Sequence, residues 1–158
     1  MRVLGIDPSL SCTGFGLVEQ AADGLRGLCY GHIPTKPAWG MPRRLERLYT
    51  ELTAAVDAYR PECCAVETIF SARNARTALL LGHARGVVIL TAVRAGLPVF
   101  EYTPMQIKRA VTGKGRATKE QVGFMVRRLL GIREPITPDD ASDALAAAIC
   151  HLLRRSDS

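Results

Sequence analysis

No apolar run in the 158-residue chain is long enough to cross a membrane. The longest, from Gly86 to Val93, ends in Arg94, and a spanning helix needs about 20 such residues. The N-terminus lacks the apolar core of a secretory signal, with Asp7 standing where that core should be. The five cysteines (Cys12, Cys29, Cys63, Cys64 and Cys150) are odd in number and include an adjacent pair. That is a poor basis for a disulfide framework. There is no C-x-x-C pair, and His32, His83 and His151 complete no zinc-ligand spacing. Repeats, low-complexity tracts and breaks in composition are also missing. The expectation is one cytoplasmic, soluble domain over residues 1–158, with reduced cysteines acting as small hydrophobes, no membrane contact and no structural zinc. Hydrophobic residues at 47% and charged residues at 23% argue against disorder, and a chain of this length buries enough surface to fold unaided.

Charge is abundant but unevenly placed. The net formal charge is +6. Residues 1–70 hold seven Lys/Arg against eight Asp/Glu, and residues 71–158 hold fourteen against seven. Within 105–128, Lys108, Arg109, Lys114, Arg116, Lys119, Arg127 and Arg128 face only Glu120. A focused basic segment suits a polyanion, because neutralised phosphates release condensed counterions. A solvated helix face is the plainer explanation, and position in sequence does not separate the two.

The hydrophobic period changes along the chain. Val3 to Asp7, Thr13 to Glu19 and Leu25 to Ile33 read as three strands, with a turn at Pro8–Ser11 and a hairpin at Ala21–Gly24. Leu45, Leu48, Tyr49, Leu52, Val56 and Tyr59 recur at helical spacing, predicting a helix over 41–59 that stops before Pro61. Cys63 to Glu67 reads as a short buried strand and 74–95 as a long helix. Leu97 to Tyr102 is a fifth strand, and helices follow at 104–111 and 118–130. Thr137 and Pro138 are expected to cap and open a last helix. Three hairpin strands followed by βαβ crossovers predict an α/β fold, a five-stranded mixed sheet flanked by helices.

Four acids occupy informative positions. Asp7 and Glu67 end strands, where ligand sites of open α/β sheets form. Asp140 and Asp143, three residues apart on the last helix, share a face that turns away from the Leu145, Ile149 and Leu152 stripe. Ala144 and Ala147 beside them are too small to crowd a ligand. Converging carboxylates resist ionising together but suit a hard cation such as Mg²⁺. Plain alternatives exist for most of them: a dipole partner in the first helical turn for Asp139 and in part Asp140, a turn acid for Asp7, a solvated strand end for Glu67; Asp143 lies one residue beyond that turn and is less easily explained so.

Taken together, these residues resemble the RuvC-type Holliday junction resolvases. The likeness is carried by Leu4-Gly5-Ile6-Asp7-Pro8-Ser9 with Thr13-Gly14-Phe15-Gly16, then Glu67-Thr68-Ile69-Phe70, then Asp140-Ala141-Ser142-Asp143-Ala144-Leu145-Ala146 with His151. Asn74-Ala75, the stretch Leu81 to Val87 and Pro98 to Tyr102 extend it. The resemblance implies a ribonuclease H-like fold, a homodimer, and structure-selective cleavage of four-way DNA junctions by paired symmetric nicks in recombination and repair. It makes Asp7, Glu67, Asp140 and Asp143 the catalytic, metal-binding acids, with Asp139 as a cap or outer residue. Two Mg²⁺ (or Mn²⁺) ions per active site are expected, bridged by Asp7, giving 5′-phosphate and 3′-hydroxyl ends. A branch-migration motor is implied as a partner.

The same resemblance marks Lys108 and Lys119 as DNA contacts; Lys114 and Arg116, at an expected flexible loop around Gly113 and Gly115, are expected to hold phosphates with them. It gives Phe70 a stacking or wedging role at the crossover, beside Arg73 and Arg76. A two-fold junction suits a C₂ dimer, and Gly82 and Gly86 would let a partner helix approach closely, or would pack on the sheet. Another ribonuclease H-like nuclease, acting on RNA or RNA–DNA hybrid, shares the acids. An actin-like ATP-binding protein needs two such domains, more than this chain holds. A binding module without activity would gain nothing from four acids at a phosphate site.

Overall fold

The computed structural model describes residues 1–68 and 74–156. Strands β1 (Arg2–Asp7), β2 (Cys12–Ala21), β3 (Gly24–Pro34), β4 (Cys63–Glu67) and β5 (Val99–Tyr102) alternate in part with helices α1 (Met41–Tyr59), α2 (Ala75–Arg94), α3 (Pro104–Thr112), α4 (Lys119–Leu130) and α5 (Asp139–Ser156). The strands form one sheet in the order β3-β2-β1-β4-β5. Pairing is antiparallel from β1 to β2 and from β2 to β3, and parallel from β1 to β4 and from β4 to β5. The mixed five-stranded sheet expected from the sequence is therefore present.

Strand alternation sorts residues between two cores. Val3, Cys63 and Ala65 pack with α3, α4 and α5, while Leu4, Ile6, Cys64 and Val66 pack with α1 and α2. With both faces covered, β1 and β4 have no solvent side, which is why they read as unbroken apolar runs. The helices have defined ends. Thr103 with Gln106, and Thr118 with Gln121, form capping boxes at the starts of α3 and α4. Gly113 and Gly131 close those helices at φ 76° and 66°, a region where a side chain would be strained.

The tightest packing is between α5 and the β1–β2 pair. A Cβ on Gly5 would lie 1.9 Å from the Ala144 carbonyl oxygen, and one on Gly14 would lie 1.9 Å from that of Asp140. Ala144 and Ala147 are fully buried in this contact. Their small size serves helix-on-sheet packing rather than leaving room for a ligand, a correction to the sequence reading.

Two other expectations change, and one pair of open readings is decided. Thr137 does not cap α5 with Pro138 as its first residue: the helix begins at Asp139, with the Ala141 N–H donating to the Pro138 carbonyl. The segment around Lys114 is held rather than loose. Thr112 Oγ1 accepts from the Lys114 N–H at 3.1 Å and donates to the Lys114 carbonyl at 3.0 Å, and a Cβ on Gly115 would meet Met105 Cγ at 2.9 Å. Gly82 and Gly86 do not pack on the sheet, because nothing lies within 4 Å of a Cβ built on either. By length and composition alone α2 is apolar enough to cross a membrane, which the search for long apolar runs missed. One of its faces is nevertheless committed to the core, through Ala84, Val88 and Ala92 against Leu48 and Leu52 of α1.

Gly5→Ala is expected to destabilise the protein by roughly 1–3 kcal/mol, since α5 must shift to admit the methyl group. Gly86→Ala, which meets no neighbour, should leave subunit stability unchanged or raise it by up to about 1 kcal/mol through helix propensity. Denaturant unfolding of both variants checks the pair.

Candidate active site

The parity of β1 and β4 places the two strand-end acids. Val3 and Gly5 face α5, so Asp7 does too; Cys63 and Ala65 share that face, so Glu67 follows. The parallel register pairs Ile6 with Val66, which puts the next residues, Asp7 and Glu67, side by side at the carboxyl ends of neighbouring strands. Asp7 also pairs with Gly14 of β2. Because Gly14 has no side chain, the first turn of α5 comes down onto it and brings Asp140 and Asp143 to the same corner. Four carboxylates from three separate elements thus meet at one end of the sheet.

The surrounding backbone is fixed by specific bonds. Thr13 Oγ1 accepts from the Ser9 N–H and donates to the Ser9 carbonyl, closing the turn that follows Asp7. The buried Arg44 donates to Thr35 Oγ1 (2.8 Å) and to the Leu10 carbonyl (3.3 Å), clamping the same turn from α1. After Glu67, the Thr68 N–H donates to the Tyr102 carbonyl at 2.8 Å. Tyr102 pairs with Glu67 across the sheet, and its hydroxyl meets His151 Nδ1 of α5 at 2.7 Å.

The electrostatics are those of crowded anions. Burial, and then repulsion from Glu67, Asp143 and Asp140, pushes the Asp7 carboxyl up to about 8, with Lys119 opposing. Burial and Asp143 push Glu67 up to about 7, against Lys119 and Lys108. Asp143 is held in an ion pair with Lys119, Nζ to Oδ2 3.0 Å. Asp139 is exposed and is not among the charges acting on Asp7, whereas Asp140 is, which places Asp140 and not Asp139 in the cluster. As they stand, no three His, Cys, Asp or Glu side chains among the described residues are arranged to hold one ion; Asp143 is turned to Lys119 instead. The donor set nonetheless suits a hard divalent cation. It is all carboxylate oxygen, and a cation in their midst would offset both the burial and the mutual repulsion that lift Asp7 and Glu67.

The cleft beside these acids is lined by Glu67, Asp143, Lys108 and Lys119, on a floor of Ile107 and Val122. Of the basic residues singled out from the sequence, Lys108 and Lys119 reach it. Lys114 lies in a neighbouring groove with Phe124 and Met125. Arg116 and Arg76 are exposed and do not line the cleft. Phe70 and Arg73 lie outside the described residues.

Two neighbours escaped the sequence reading. The Cys12 thiol sits against Asp140, and burial followed by that carboxylate pushes it up to about 11. Alternation with Gly14 and Gly16 along β2 was the available signal, since it places Cys12 on the α5 face. Arg85 of α2 ion-pairs with Glu101 of β5 and donates to the Glu67 carbonyl at 3.5 Å; its i+10 distance from Ala75 in a helix carried no hint of this tertiary contact.

The comparisons with known proteins bear on the same residues. The family model "Crossover junction endodeoxyribonuclease RuvC" matches residues 3–151. The enzyme of that name from Rubrobacter xylanophilus is 52% identical over 149 residues, 94% of this chain and 83% of the relative. That from Caldicellulosiruptor saccharolyticus is 45% identical over 157 residues, 99% and 95% of the two chains. Thermus thermophilus RuvC, solved in complex with a Holliday junction substrate, superposes with a TM-score of 0.93 at 38% identity, covering 98% of this chain and 94% of that one. A yeast mitochondrial Holliday junction resolvase, Ydc2, shares the fold at 15% identity and a TM-score of 0.69. With a match over nearly its whole length, and its four carboxylates brought to one end of a ribonuclease H-like sheet, the chain belongs to the crossover junction endodeoxyribonuclease RuvC family.

Proposed function

We propose that the protein is a Holliday junction resolvase, cutting four-way DNA by paired, symmetric nicks in recombination and repair. The observation that carries this reading is the convergence of Asp7, Glu67, Asp140 and Asp143 beside Lys108 and Lys119 in a chain of this family. Nucleases of the family are metal-dependent. Two Mg²⁺ or Mn²⁺ ions bound by the four acids would supply a nucleophile from water and charge stabilisation at the departing 3′ oxygen. Asp7, on which the charges of the other three acids act, would hold the ions together with Glu67, Asp140 and Asp143. Lys119, the cation that Asp143 holds in the structure, is then released to a substrate phosphate, with Lys108 across the cleft. The Ile107 and Val122 floor limits water beside the reacting phosphate. Ends bearing 5′-phosphate and 3′-hydroxyl follow. The cytoplasm, where bacterial DNA lies, is the compartment this reading assigns, and a branch-migration motor is proposed with it as a partner.

A homodimer is part of the proposal. Leu79, Gly82, Gly86, Leu90 and Val93 succeed one another at steps of three or four along α2, so they share one helix face. Leu79, Leu90 and Val93 are 65%, 54% and 60% exposed, and the two glycines are open. An exposed apolar stripe with glycines at its middle suits a second copy of the same helix, and two active sites match the two cuts a junction needs.

Four measurements test this. End-labelled four-way junction, linear duplex and RNA–DNA hybrid, with and without Mg²⁺ or Mn²⁺, should show paired metal-dependent nicks in the junction alone; cutting of the hybrid instead would move the substrate to RNA. Asp7→Asn should reduce cleavage by several orders of magnitude while junction binding stays equal or tightens. Leu90→Glu should leave the subunit folded but monomeric by sedimentation, and convert paired cuts to single nicks. The pH dependence has a definite sign. Asp7 and Glu67 titrate higher when folded than unfolded, so the folded state holds more protons between about pH 4 and pH 8. In chelator, thermal stability should therefore fall as pH rises through that window. Asp7→Asn should lose most of the dependence, and Mg²⁺ should flatten it.

A further inference from the structure

The cleft has a continuation that the four acids do not use. Beyond the Lys119–Asp143 pair, a second groove runs along α4 past Gly123, Phe124 and Arg127. Phe124 and Arg127 also line a third groove, completed by Arg128, Gly131, Ile132 and Arg133. Phe124 is 52% exposed, an aromatic ring set on the surface between the active-site cleft and a groove that holds three guanidinium groups and no acid. Arg127, Arg128 and Arg133 make no ion pair among the described residues. Arg2, Arg26, Arg47 and Arg85 are each paired with Glu19, Asp23, Glu51 and Glu101, whereas Arg76, Arg94, Arg109 and Arg116 are, like these three, in no ion pair among the described residues. What sets Arg127, Arg128 and Arg133 apart is that they line one groove beside an exposed ring. Apolar surface flanked by unpartnered guanidinium groups is complementary to the sugar and phosphate of a nucleic-acid strand.

We infer that the DNA strand flanking the scissile phosphate leaves the acid cleft over Phe124 and is held by its phosphates in the Arg127–Arg128–Arg133 groove. This rests on the resolvase reading and adds to it a second positioning site, one that sets how the arm is directed away from the cut. The helix supplies a scale. Lys119 to Arg127 and Arg128 is eight to nine residues, about 12–14 Å at ~1.5 Å per residue. Phosphates of one strand advance ~3.4 Å each along a duplex, so the arginines meet phosphates about three to five nucleotides from the scissile one. Phe124, roughly midway, lies against the sugars between. The acids on the intervening groove, Glu120 and Asp139, lie on its active-site side, so the attraction grows away from the cut.

The test measures junction affinity in chelator as a function of salt, for the wild type and for variants. Replacing all three arginines by glutamine should weaken binding at least tenfold and make the slope of log affinity against log salt shallower by about 2–3, since each lost phosphate contact removes ~0.9. Replacing them by lysine should restore most of the slope. Phe124→Ala should weaken binding several-fold with the slope unchanged. Methylphosphonates three to five nucleotides from the scissile phosphate should weaken wild-type binding but add little to the glutamine variant. Circular dichroism and thermal melting verify that each variant folds, as expected for exposed positions. A glutamine variant that binds with wild-type affinity and slope, while the wild type binds and cuts junctions, overturns the inference and leaves the resolvase reading intact. In that case an acidic protein surface becomes the occupant of the groove. A wild type that neither binds nor cuts junctions overturns the resolvase reading, and the inference with it.

Discussion

The approach of α5 to the β1–β2 hairpin is the contact on which the rest depends. Without side chains at Gly5 and Gly14, the backbone of α5 sits where Cβ atoms would be. The helix can then come close enough for its first turn to carry Asp140 and Asp143 to the end of β1. A methyl group at either glycine would push the helix out and separate the acids on α5 from those on the strands. Close packing and the convergence of the four acids are thus one constraint. The buried alanines of α5 belong to it as well, since Ala144, Ala147 and Ala148 are fully buried where larger residues would hold the helix off.

The site works against the stability of the fold that builds it. Burial raises the proton affinity of Asp7, and the other three acids raise it further. The folded protein without a cation therefore carries unfavourable charge at the end of its sheet, offset in part by Lys119. Rigid neighbours keep the acids from drifting apart: the Thr13 turn after Asp7, the Arg44 clamp on Leu10, and the Tyr102–His151 bond tying β5 to α5. This is the arrangement expected where function requires like charges in close quarters. It also explains why the most tightly packed part of the molecule lies beside its least favourable electrostatics.

Much of the fold was legible because periodicity reports burial. The helix over 41–59 and the strand over 63–67 were bounded as the structure has them, since the helical pattern is stopped by Pro61 and the strand is a short apolar run closed by an acid. The start of α5 was not, because a Thr-Pro-Asp-Asp run satisfies the rules for a helix opening at two adjacent positions, and the neighbouring chain settles which is used. Gly82 and Gly86 were open to two readings for a related reason. A glycine pair at helical spacing marks close approach equally well on the inner and outer faces, and only the orientation of α2 shows that they face outward.

By itself the sequence determined the order of elements, the placement of Asp7 and Glu67 at strand ends, and the basic character of the segment after β5. These follow from local chemistry: the lengths of apolar runs, helix period and charge count. The tertiary structure alone decided that Lys119 rather than Arg116 reaches the acids, that Asp140 and not Asp139 joins them, that Cys12 lies against Asp140, and that Phe124 stands exposed between two grooves. Each of these depends on how far a helix rotates and how closely it settles on the sheet. Those are set by packing among residues far apart in the chain, and no pattern within one segment carries them.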